Sequence, residues 1–154
     1  MGEVMNKIDY KSLIKYILIT FIIGGLFTPF TMNNEVYQNL NKPFEIPSIV
    51  FPIVWSILYL LMAISLYIVK KEDSNENYLI YYIQLIVNSL WTLFFFGFKW
   101  YLFSFFWIIL LIILVIAMIR KFYSVKPIAG YLNIPYLLWL IFAGYLNFMI
   151  YYLN

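Results

Sequence analysis

The chain has 154 residues, of which 65% are hydrophobic, 23% aromatic and only 11% charged, with a net charge of +3 and a mean hydropathy of +0.88. A soluble domain carries about a quarter charged residues, so this composition excludes one and points to a single integral membrane domain over residues 1–154. The ten basic residues are scattered through short loops and form no nucleic-acid surface, and the absence of Cys and His removes disulfides, thiol catalysis and imidazole chemistry.

Five apolar runs are long enough to approach or exceed the ~20 residues a membrane helix needs, at about 13–31, 49–69, 78–98, 100–119 and 128–152. They are continuously apolar rather than alternating, which favours helices over a barrel. The expected fold is an all-α bundle of five transmembrane helices. Basic residues precede the first run, but no small-residue cleavage site follows it, so it reads as an uncleaved span. Asn6 stands where myristoylation of Gly2 needs Ser or Thr.

Lys7, Lys11, Lys15, Lys70, Lys71, Arg120, Lys121 and Lys126 fall on one side of this topology, and Lys42 and Lys99 on the other. The positive-inside rule then predicts a multi-pass cell-membrane protein with a cytoplasmic amino terminus and an extracellular carboxyl terminus. The four residues Gly97-Phe98-Lys99-Trp100 make spans three and four antiparallel neighbours. The longest connection, 32–48, holds Tyr37, Pro43, Phe44 and Pro47. A segment of this length and composition predicts a structured lid over the outer mouth, with an ordinary ordered loop as the alternative.

Three spans each carry a mixed polar and aromatic face at helical spacing: Trp55, Tyr59 and Met62; Gln84, Asn88 and Trp91; Trp139, Ala143 and Asn147. Amides in hydrocarbon must face protein or water. Two readings stay open: interhelical hydrogen bonding, which contributes about 0.6 kcal/mol per group, or the wall of a pocket for a large, flat, mostly apolar ligand. No Ser-His-Asp set, HExxH or phosphate loop is present, and no span contains Asp or Glu, which argues against proton-coupled transport. Redox-capable indoles and phenols are what remains.

Three blocks carry a family resemblance: "LNKPFEIPSIVFPIVWSILYLLM", "QLIVNSLWTLFFFG" and "PYLLWLIFAGYLN". Together they resemble the signatures of the TspO/MBR family, the translocator or tryptophan-rich sensory proteins once called peripheral benzodiazepine receptors. The resemblance implies a five-helix bundle, often a homodimer, in the lipid bilayer. It implies an intramembrane aromatic pocket for protoporphyrin IX or a related tetrapyrrole and for isoquinoline or benzodiazepine-type ligands, in tetrapyrrole handling or stress sensing. No cofactor is required and no metal site is expected; porphyrin is ligand or substrate.

By matched position Trp55, Asn88, Trp91, Trp139 and Ala143 line the pocket and Pro47 shapes the lid. Phe51, Tyr59, Phe94, Phe103 and Asn147 complete the expected binding set, Phe103 standing where some relatives place a Trp. The resemblance also implies an enzyme-like alternative, light- and oxygen-dependent porphyrin degradation using Trp55 and Trp139. A third reading is transport of small hydrophobic ligands. No Lys or Arg follows Tyr151-Tyr152, so the cholesterol motif of animal members is absent and sterol binding has no sequence support.

Overall fold

The computed structural model describes residues 7–31 and 35–154. Its elements are α1 (Tyr10–Gly24), a 3-10 turn (Thr28–Thr31), α2 (Glu35–Asn39), α3 (Val50–Glu72), α4 (Leu79–Thr92) continued by a π-helical turn (Leu93–Gly97), α5 (Tyr101–Val125), α6 (Pro127–Tyr131) and α7 (Ile134–Leu153). No strand occurs among the described residues. Four helical stretches, Val50–Glu72, Leu79–Gly97, Tyr101–Val125 and Pro127–Leu153, are long and apolar enough to cross a membrane. With α1 they make a five-helix bundle.

The first helix is shorter than its apolar run. The Asp9 carboxylate starts it by accepting the Ser12 amide, a common N-cap arrangement. It stops at Gly24 rather than near Thr31. Tyr59 donates its hydroxyl to the Gly24 carbonyl at 3.0 Å, taking the acceptor that a longer helix would use. Two glycines and then Pro29 make continuation costly. The fifth span is also interrupted. Between α6 and α7, Asn133 donates to Ser65 Oγ at 2.9 Å and to the Ala129 carbonyl at 3.0 Å, and Pro135 follows in the first turn of α7.

Around the bundle, α3 and α4 flank α1, α5 lies along α4, α7 and α6 lie along α5, and α6 closes against α3. The packing is inside-out relative to a soluble protein. Ile14, Leu18, Ile22, Ile57, Ile86, Ile113 and Leu138 are exposed, while Thr20, Ser65, Gln84, Asn88, Asn133 and Asn147 are buried among Met62, Leu66, Leu85, Leu111 and Met118. In lipid, close packing and interhelical hydrogen bonds hold helices together instead of water exclusion.

The two ends of the bundle differ. At one end Lys126 pairs with Glu72 at 3.0 Å and Lys121 with Glu76 at 2.8 Å. The ammonium of Lys121 holds the Glu76 carboxyl below the ordinary glutamate value. A carboxyl with a lowered folded pKa contributes stability at neutral pH and loses it as pH falls through that folded value. Hydrogen exchange in the 73–78 loop, corrected for intrinsic rate, is therefore expected to accelerate on acidification into that range. The pH dependence is expected to disappear in Glu76→Gln.

At the other end lies the lid, of which residues 32–34 fall outside the described residues. Lys42 organises it. The side chain of Lys42 is only 4% exposed, and its ammonium donates to the carbonyls of Tyr37 (2.9 Å), Gln38 (3.2 Å) and Leu40 (3.2 Å), closing the C-terminus of α2. The lid is also buttoned to the end of α7: the Asn41 amide donates to Asn154 Oδ1 at 3.0 Å and Asn154 Nδ2 to the Asn41 carbonyl at 2.9 Å.

Candidate functional site

Beneath the lid, α3 and α7 do not pack backbone to backbone as the other neighbours do. Aromatic rings fill the space between them. The Trp55 ring lies 6.2 Å from Tyr136 and 5.5 Å from Tyr59, and Phe51 lies 6.1 Å from Trp139. Phe142 packs on Trp139 at 5.5 Å, and the lid contributes Phe44, stacked on Phe142 at 6.1 Å. These are offset or edge-on contacts, the arrangement that ring quadrupoles favour. A wedge of indoles and phenyls is thus held between two helices by side chains rather than by helix ridges.

The indole nitrogen of Trp139 is buried and has no hydrogen-bond partner. An unpaired donor in an apolar interior costs about 1–3 kcal/mol. Most other polar groups nearby are paired. Tyr136 sits at the centre: its hydroxyl donates to Gln84 Oε1 at 2.9 Å and accepts from Asn88 Nδ2 at 2.9 Å. Gln84 Nε2 also reaches the Met62 sulfur at 3.6 Å. One turn further toward the lid, Trp91 Nε1 donates to Asn147 Oδ1 at 3.0 Å, and Asn147 Nδ2 donates to the Tyr101 carbonyl at 2.7 Å. This spine links α4 to α7 and α7 to α5.

The expected binding residues therefore separate into groups. Phe51, Trp55, Tyr59 and Trp139 come together in the seam. Asn88, Trp91 and Asn147 stand beside it with the polar groups just named committed to the spine, and Gln84 joins them. Ala143 is half-buried on α7 between Trp139 and Asn147. Pro47 is exposed, and its carbonyl accepts the Val50 amide at 3.0 Å as α3 begins.

Phe94 and Phe103 are not part of this group. They pack on each other at 5.0 Å and against Trp100 and Trp107, on the α4–α5 flank where Phe103 is exposed. The resemblance puts both in the binding set; the structure places them apart from the rings between α3 and α7. The π turn rotates residues 93–97 away from the register that α-helical spacing predicts.

The TspO/MBR family profile matches residues 14–153. The chain belongs to the TspO/MBR family. It is 37% identical over 137 residues to tryptophan-rich protein TspO of Chlorobaculum tepidum, covering 85% of this chain and 86% of that one. It is 36% identical over 127 residues to the tryptophan-rich sensory protein of Cereibacter sphaeroides, covering 81% and 78%. Tryptophan-rich protein TspO of Archaeoglobus fulgidus is 34% identical over 154 residues, covering 97% and 99%. The chain is thus a multi-pass membrane protein of this family with an aromatic cluster at the lid end.

Tyr136, Tyr37, Phe44 and Phe142 are the structural participants that the expected binding set omits. Tyr136 had a signal: it lies eleven residues before Asn147, three helical turns on the same face. Tyr37 sits in the short helix α2, too brief to show a period, and Phe44 in irregular backbone, where periodicity carries no information. Burial first, and then the nearby Glu45 carboxylate, push the Tyr37 phenol up, so it stays neutral.

Proposed function

We propose that this protein binds a planar tetrapyrrole of the protoporphyrin IX class between α3 and α7, and that isoquinoline and benzodiazepine-type ligands share that seam. The reading places the protein in tetrapyrrole handling or stress sensing. The observation that carries it is the buried, unpartnered Trp139 N–H among edge-on and tilted rings, which provides a donor for a carbonyl, carboxylate or ring nitrogen of a flat ligand. Trp55 and Trp139 supply faces, Phe51 and Phe142 supply edges, and Ala143 leaves room on α7. The lid residue Phe44 excludes water from above. Asn88, Trp91 and Asn147 keep α4, α5 and α7 in place, so they act on the ligand chiefly by holding its wall. The segregation of basic residues supports an orientation with the lid and carboxyl terminus outside the cell.

The test is a spectral titration of protoporphyrin IX into reconstituted protein, in darkness and under illumination. Wild type is expected to bind saturably. Trp139→Phe keeps most of the ring area but loses the donor, and is expected to weaken binding about tenfold, the equivalent of one hydrogen bond of about 1.4 kcal/mol. Equal affinity in Trp139→Phe would contradict the role given to that N–H. Protein-dependent loss of the macrocycle in light, slowed in Trp55→Phe, would favour the degradative reading. Directional flux across liposomes would favour transport.

A further inference from the structure

A second compartment lies on the opposite side of the lid helix. It is a cavity of about 370 Å³ whose lining includes Phe30, Tyr37, Phe95, Phe96, Lys99 and Tyr101. Trp55, Asn88, Trp139 and Ala143 take no part in its lining. The volume falls at the lower end of the range of about 300–1,000 Å³ found for small-molecule sites. Tyr37 is the partition between the two compartments: its ring contacts Phe51 of the seam at 6.0 Å and Phe96 of the cavity at 5.9 Å.

Two irregularities of the backbone meet in this cavity. The π turn supplies Phe95, Phe96 and Gly97. Lys99 adopts φ 58°, a left-handed conformation that glycine and asparagine accept readily and other residues adopt at a cost of roughly 1–2 kcal/mol. Strain and π turns collect where a side chain must be aimed. Gly97 permits the close wall: a Cβ there would stand 3.0 Å from Leu93 Cδ1 and 3.3 Å from the Phe30 ring.

The ion pairs among the described residues include Lys42–Glu45, Lys121–Glu76 and Lys126–Glu72, and Lys99 joins none of them. A lysine at a membrane surface needs no partner in water. This one, however, lines the cavity at a position where glycine would cost less. The cavity lining therefore combines edge-on and tilted aromatic rings with one cationic residue.

We propose that this cavity binds a small amphipathic anion, its apolar body resting on Phe95, Phe96 and Tyr101 and its carboxylate or phosphate head on the Lys99 ammonium. The site goes beyond the tetrapyrrole seam and does not depend on it. The probe for the test is 2-naphthoate, titrated calorimetrically into full-length protein in phosphatidylcholine nanodiscs, with empty discs subtracted. Saturable binding is expected, at least tenfold weaker in Lys99→Gly and for neutral 2-naphthamide, and retained in Lys99→Arg.

Lys99→Gly suits the local backbone, so an unchanged melting temperature separates lost binding from lost fold. Equal affinity in Lys99→Gly, or no saturable signal above empty discs, would overturn the proposal. So would a loss caused by Trp139→Phe rather than by Lys99→Gly, because the probe would then sit in the seam. A second titration in discs containing phosphatidylglycerol distinguishes sources. Competition there supports a lipid headgroup as the occupant, and unchanged naphthoate binding supports a free amphipathic anion.

Discussion

Replacing Tyr136 by Phe is expected to destabilise the bundle by about 2–4 kcal/mol, because one hydroxyl satisfies two buried amides at once. Gln84 Oε1 loses its donor and Asn88 Nδ2 loses its acceptor, and these residues are 0% and 2% exposed. A single hydrogen bond in a membrane bundle contributes only about 0.6 kcal/mol. An effect of that small size would mean that the amides find other partners and that Tyr136 is not a hub. A cycle with Gln84→Leu sharpens the test. Once the acceptor is gone, Tyr136→Phe is expected to cost measurably less than in wild type, and additivity would sever the link. Denaturation in mixed detergent micelles reads both quantities. The same change lies one ring contact from Trp55, so protoporphyrin IX affinity is expected to fall less than stability does.

The second large effect is expected at the junction of α5 and α6. A Cβ on Gly130 would stand 2.7 Å from Tyr123 Cβ, 3.0 Å from its Cα and 3.1 Å from its backbone nitrogen. Backbone cannot yield as a flexible side-chain tip does, so Gly130→Ala must push α6 off α5. Overpacking of this kind costs about 1–3 kcal/mol, and the upper end is expected because the obstacle is main chain. Gly144→Ala is the control. Its Cβ would meet only Ile108 Cγ2 at 3.4 Å, and the helix gains up to about 1 kcal/mol from alanine. Melting temperatures falling for Gly130→Ala and holding or rising for Gly144→Ala would support the packing; equal responses would contradict it.

The five-helix architecture was legible in the sequence because continuous apolar runs of membrane length have few alternatives in lipid. The Gln84–Asn88–Trp91 and Trp139–Ala143–Asn147 faces were legible for the same reason that helices are regular. Their partners were not. Which amide meets which phenol depends on the rotation of one helix against another, and Tyr136 becomes a hub only when α4 and α7 are brought together. Phe94 and Phe103, which the resemblance puts in the binding set, pack together on the α4–α5 flank, a placement that depends on how the π turn and α5 meet rather than on spacing along either helix. The early end of α1 depends on a tertiary hydrogen bond from Tyr59, thirty-five residues away along the chain, which local propensity cannot anticipate. The polar residues Gln84, Asn88 and Asn147 hydrogen-bond across helices beside the aromatic seam.

The most direct test of the account is the distance between α3 and α7 with and without protoporphyrin IX. The chain contains no cysteine, so Ile53→Cys on α3 and Leu138→Cys on α7, both exposed positions, accept spin labels at unique sites. If the ligand inserts among the seam rings, pulsed dipolar spectroscopy is expected to show the interlabel distance lengthen by about one ring thickness, roughly 3.5 Å. The change is expected to saturate at one ligand per chain. Saturable binding with an unmoved α3–α7 distance would contradict the seam as the binding site.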